Sequence, residues 1–157
     1  MKTLVVYYSL EGNTKEAAEH IAKAISADIL ELKPVKDVPK EGFKKFFLGG
    51  MKAIFGPGTK LQQVDCNPLE YERIILGTPV WAGKPAPAFK TFLKNYDLKD
   101  KVSGVFTFSG SGNNEGCVSI LKKKLPQIKN TVSLIDRGNA ELAANNEENL
   151  NNFIEAL

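Results

Sequence analysis

The chain has little of what metal and nucleophile sites are built from: one histidine, two cysteines and one tryptophan in 157 residues. His20 falls in a helical stretch away from every loop that follows a strand, so it reads as a surface residue rather than a ligand or base. Cys66 and Cys117 are far apart and form no C-x-x-C pair, which argues against a redox dithiol or a zinc site and reads as two free thiols. Cys117 begins a helix beside a glycine-rich loop, where a thiolate would gain from the helix dipole, but a buried inert thiol is the ordinary reading. Charge of one sign is also lacking: 21 Lys and Arg stand against 18 Asp and Glu, a net +3. Lys122-Lys123-Lys124 reads as a solvated helix end. With no arginine cluster or aromatic platform, a nucleic-acid partner is not expected. No apolar run reaches the length of a membrane span, and the N-terminus opens on strand residues rather than a leader. A cytoplasmic location without a membrane span is therefore expected.

What is present is alternation. Leu4–Tyr8, Asp28–Lys33, Ile74–Val80, Val102–Phe108 and Thr131–Ile135 have the β-branched and aromatic composition of strands. Helical spacing appears in Ala17–Ile25, in Ala86–Tyr96 with Ala88, Phe89, Phe92 and Leu93 inward, in Cys117–Leu125 and from about Glu147 to Leu157. Such alternation predicts an α/β fold with a parallel sheet, and the length fits one domain over residues 1–157.

Three strand-end loops carry the chemistry. In open α/β sheets ligands sit beyond the carboxyl ends of the strands. The first loop, Ser9-Leu10-Glu11-Gly12-Asn13-Thr14, passes from a strand into a helix. Its helix N-terminus offers unpaired N–H groups, Ser9 and Thr14 add hydroxyls, and Gly12 allows close backbone approach, a combination suited to a phosphate. It matches neither G-x-x-x-x-G-K-[ST] nor G-x-G-x-x-G, which argues against a nucleoside triphosphate or a dinucleotide. A plain N-cap at Asn13 or Thr14 is the competing reading.

The second loop, Thr78-Pro79-Val80-Trp81-Ala82-Gly83, holds the only tryptophan. Its proline and glycine neighbours favour a loop position, with the ring as a stacking surface, over burial in the core. The third, Ser109-Gly110-Ser111-Gly112 and on to Gly116-Cys117, is rich in backbone groups able to meet the edge of an uncharged planar ring; an ordinary surface turn is the alternative.

These loops, in this order and spacing, resemble the flavodoxin family. Ser-x-x-Gly-Asn-Thr resembles its FMN-phosphate loop, Gly77-Thr78-Pro79-Val80-Trp81 its first flavin-flanking loop, and Ser109–Gly112 the second. The resemblance covers nearly the whole chain. It implies a short-chain flavodoxin-like three-layer sandwich with a five-stranded parallel sheet of order 2-1-3-4-5 and FMN at the carboxyl edge. On this resemblance Ser9 to Thr14 hold the phosphate, Trp81 packs on one ring face, and Ser109 to Gly112 meet the pyrimidine edge. The Ala82–Gly83 peptide would turn its carbonyl toward the flavin on reduction. Two departures stand out. Glu11 occupies a position where many members have threonine, so its carboxylate is expected to face solvent, and the third loop lacks the tyrosine that covers the outer flavin face in many flavodoxins.

Electron transfer with redox partner proteins or a small electron acceptor is the implied function. An NAD(P)H-dependent, FMN-containing reductase of quinones or other small acceptors is the alternative, favoured by the open face and the positive charge. A receiver-type regulatory module is disfavoured, because Tyr7-Tyr8-Ser9 supplies no acidic cluster.

One segment falls outside the alternation. Pro34–Asn67 is far longer than an ordinary connection, and Phe43, Phe46, Phe47, Leu48, Met51, Ile54 and Phe55 have the spacing of an amphipathic helix. Six lysines against three carboxylates give this segment a net +3, equal to that of the whole chain. A solvated helix face is the ordinary reading, and a docking surface or a lid the sharper one.

Overall fold

The computed structural model describes residues 1–37, 58–138 and 140–157. The expected helix between Phe43 and Phe55 lies outside these residues. Five parallel strands form the sheet: β1 (Thr3–Tyr7), β2 (Asp28–Glu31), β3 (Arg73–Trp81), β5 (Val102–Ser109) and β6 (Asn130–Ile135). Their spatial order is β2-β1-β3-β5-β6, the doubly wound order that the flavodoxin resemblance implies. A sixth strand, β4 (Lys84–Pro85), runs antiparallel to the end of β3 and was not anticipated.

Side-chain alternation along β1 explains the layering. Leu4 and Val6 point to one face, Val5 and Tyr7 to the other. The first face is covered by α2 (Pro87–Asn95), which contributes Ala88, Phe89 and Phe92, and by α3 (Glu115–Lys124) through Cys117 and Leu121. The second is covered by α1 (Asn13–Ala24) through Ala17, Ala18, Ile21 and Ala22, and by α4 (Asn146–Glu155) through Phe153. Because the central strands are covered on both sides, they read as continuous apolar runs rather than as alternating ones. Phe89, Phe92 and Phe106 are fully buried, each stabilising the fold by about 1.5–3 kcal/mol.

Two glycines make this packing possible. A Cβ on Gly77 would lie 2.0 Å from the ring of Phe106, and one on Gly104 would lie 2.8 Å from Leu157. On the β2 side, Val35 donates to the carbonyl of Lys60 and Gln62 to that of Lys33, so the two ends of the long connection are tied together. With all five main strands parallel, the loops after β1, β3, β5 and β6 emerge along one edge.

Candidate functional site

The loop after β1 is shaped by its own backbone. Ser9 Oγ accepts the N–H of Gly12 at 3.1 Å, and Gly12 sits at φ +102°, a left-handed conformation that glycine adopts without steric cost. Gly12 is also the N-cap residue of α1. No side chain caps that helix, so its first-turn N–H groups are left for water or a ligand. Thr14 is buried beneath the turn, whereas Glu11 is exposed to solvent as expected and also borders the cavity.

A cavity of about 160 Å³ opens against this turn. Ser9, Leu10, Glu11, Asn13 and Thr14 line it from the first loop, Pro79, Val80 and Trp81 from the end of β3, Phe108 from β5, and Asp136 from the residue after β6. The structure therefore brings the first and second predicted loops together at one site.

The second segment is not a loop as expected. β3 continues through Trp81 and turns back at Ala82–Gly83 into β4, pairing Val80 with Pro85 and Trp81 with Lys84. Both turn residues have positive φ, +47° at Ala82 and +73° at Gly83, as in a two-residue hairpin of the primed type. Trp81 is 6% exposed and belongs to the core cluster, meeting Tyr8 edge-on at a centroid distance of 5.6 Å. The favoured loop placement of Trp81 is thus corrected: hairpin pairing draws it into the sheet, where it joins the core and also borders the cavity. Tyr8 is held in turn by donating its hydroxyl to Asp37 at 2.6 Å, and burial followed by this carboxylate raises its pKa.

Thr78 was expected to touch cofactor, but its side chain is spent inside the protein. Its hydroxyl donates to the carbonyl of Pro79 at 2.9 Å and accepts the N–H of Ala86 at 3.0 Å, fastening the start of α2 to β3. Cys117 is the buried thiol of its ordinary reading. Its thiol is fully buried in the core, and desolvation pushes its pKa up to about 12, so the helix dipole does not win and the inert reading holds. Gly116 serves packing: a Cβ there would come within 2.8 Å of the Gly83 carbonyl, so α3 abuts the hairpin tip only because position 116 has no side chain.

The third loop repeats the construction of the first. Ser109 Oγ accepts the N–H of Gly112 at 2.8 Å, and Gly112 has φ +77°. Gly110 and Ser111 are exposed at the same sheet edge, but residues 109–112 do not line the cavity.

Asp136 carried no signal in the sequence. Its N–H donates to the carbonyl of Ser109 at 3.0 Å, while Asn146 clamps both the N–H and the carbonyl of the preceding Ile135. One carboxylate oxygen accepts from the Asn13 amide at 3.4 Å. Burial raises the pKa of Asp136, Glu11 raises it further, and the Asn13 hydrogen bond opposes both. His20 is exposed on α1, as expected, in a neighbouring groove with Glu16, Arg137 and Glu147.

A sequence profile described as flavodoxin matches residues 57–157, more than half of the chain. The chain belongs to the flavodoxin family. Among solved structures, a flavoprotein from Bacteroides uniformis superposes with a TM-score of 0.73 at 23% identity, covering 93% of this chain and 97% of its own, a likeness of fold. A flavoprotein from Lactobacillus acidophilus, solved in complex with FMN, is 28% identical with a TM-score of 0.61, covering 91% of this chain and 98% of its own. A WrbA-like flavodoxin from Agrobacterium tumefaciens matches at 21% identity and a TM-score of 0.54, covering 99% and 98%. Among the described residues of this flavodoxin no helix is long and apolar enough to cross a membrane, and no cluster of side chains suits a metal ion.

Proposed function

We propose that this flavodoxin binds FMN and works as an electron carrier between redox partner proteins. The observation that carries the reading is the uncapped N-terminus of α1 opening into a cavity with Trp81 on its wall. The donor set fits a phosphate: first-turn N–H groups, the Ser9 hydroxyl free to donate while its oxygen accepts from Gly12, and Thr14. FMN, when bound, supplies the electron-accepting chemistry. The chain's own residues bind and orient it. Ser9, Leu10, Glu11, Gly12, Asn13 and Thr14 form the phosphate end, Pro79, Val80 and Trp81 flank the ring, and the exposed Gly110 and Ser111 offer backbone groups to its edge. Ala82 and Gly83, both already at positive φ, form the tip of a hairpin beside it.

Family membership and the FMN complex of the Lactobacillus relative support this reading. The purified protein is expected to be yellow, with Trp81 emission quenched in the holoprotein and restored when FMN is removed. Identical emission in both forms would contradict Trp81 as a flanking ring.

A second reading, an NAD(P)H-dependent reductase of quinones or other small acceptors, is favoured by one feature: residues 110–116 contain no aromatic side chain to cover an outer ring face. Addition of NAD(P)H to the holoprotein separates the two. A carrier keeps its oxidised absorbance until a reductase is added; bleaching by NAD(P)H alone supports the enzyme instead.

A further inference from the structure

The cavity proposed to receive a phosphate is lined by two carboxylates, Glu11 and Asp136, and by no lysine or arginine among the described residues. This is an unexpected wall for an anion. Arg137, next to Asp136, is engaged with Glu16 on α1, and Lys15 pairs with Glu19, so the nearby cations already face other carboxylates. His20 and Glu147 border the adjoining groove with Glu16 and Arg137 rather than the cavity. From α1 the group facing Asp136 is the neutral Asn13 amide; from β5 it is the Ser109 carbonyl, which holds its backbone. The backbone leading into Asp136 is held in place, because the Ser109 carbonyl accepts the Asp136 N–H and Asn146 clamps the N–H and carbonyl of Ile135 just before it.

We propose that Asp136, opposed by Glu11, makes FMN binding proton-linked: the complex takes up one proton, held on the Asp136 carboxyl where it faces the phosphate. This rests on the reading of the cavity as an FMN site. A phosphate dianion brought beside two carboxylates in a partly buried cleft is repelled by both, and protonating the more buried of them removes the larger repulsion. The neutral acid then presents an O–H donor where the carboxylate offered only acceptors. Burial and Glu11 already bias Asp136 toward its protonated form before any ligand arrives. The sign follows. Because binding favours the protonated form, affinity falls as pH rises through the window between the free and bound pKa values and levels off above it.

The test is flavin-fluorescence titration of the apoprotein with FMN and with riboflavin at pH 6.5, 7.5 and 8.5, above the second ionisation of a phosphate monoester near about 6. For the wild type, the FMN dissociation constant is expected to rise at least about fivefold across this range, within the roughly tenfold per pH unit that one proton allows. Riboflavin, lacking the phosphate, should show no slope. Asp136→Asn should flatten the FMN profile to within about twofold and bind more tightly than wild type at pH 8.5. Glu11→Gln, at an exposed position that leaves folding intact, should make the slope shallower. A flat wild-type profile overturns the proposal, and so does a slope that persists in Asp136→Asn, which would assign the proton to the phosphate itself. Loss of FMN binding at every pH, or equal affinity for FMN and riboflavin, would instead overturn the reading of the site.

Discussion

The turns after β1 and after β5 are built alike and end differently. In each, a serine hydroxyl accepts the N–H of a glycine three residues on, and that glycine takes positive φ, Ser9 with Gly12 and Ser109 with Gly112. The β5 turn is closed by side chains of the turn itself and of the strands beside it. Asn113 accepts the N–H of Glu115 in the first turn of α3, Ser111 accepts that of Asn113, Asn114 donates to Thr107, and Ser133 donates to the Gly112 carbonyl. Among the described residues the β1 turn receives no such seal; neither α1 nor α3 has a side-chain bond from its N-cap residue, but only α3 has its first N–H met, by Asn113. The difference teaches that a Ser-x-x-Gly turn is a scaffold rather than a site. What makes the first one ligand-ready is the unmet donor capacity of the helix behind it.

Substitutions can break this contrast. The largest effect is expected from Thr14→Ala, which should weaken FMN by the order of one hydrogen bond to a charged group, about 1.5–3 kcal/mol, in a binding titration. Unchanged affinity would make Thr14 a packing residue only. Gly12→Ala and Gly112→Ala should each destabilise the protein by about 1–2 kcal/mol in urea unfolding, because the left-handed conformation rather than space sets the cost. Neither added Cβ meets anything closer than 3.4 Å. A markedly larger loss at one position would show that the two turns are not equivalent scaffolds. The smallest effects are expected from the serines: Ser9→Ala and Ser109→Ala should each lower stability by about 0.5–1.5 kcal/mol, with only Ser9→Ala also weakening FMN. Equal weakening by both would place the β5 turn in the phosphate site.

Periodicity carried the fold, since five strands and four helices each have a clear apolar pattern and parallel order follows from their alternation. The Ser9–Thr14 loop was legible because its residue types are few and its spacing excludes rivals. The hairpin at Ala82–Gly83 was not, because alanine at a positive-φ turn position breaks the Asn-Gly or Gly-Gly signal by which such turns are recognised. Missing that hairpin misplaced Trp81, whose burial comes from β3–β4 pairing and from Tyr8. The helix-start position of Cys117 carries no site signal, because the inward phase of α3 buries it. Asp136 was invisible because an aspartate after a strand has no pattern; only the sheet brings it beside Asn13, 123 positions earlier in the chain.

The central claim is that the first turn holds a phosphate, and the most direct measurement compares FMN with riboflavin on the same apoprotein at one pH. Two charge-assisted hydrogen bonds of about 1.5 kcal/mol each predict that FMN binds at least about a hundredfold more tightly. Equal affinity for the two would mean that the open N-terminus of α1 is not a phosphate site.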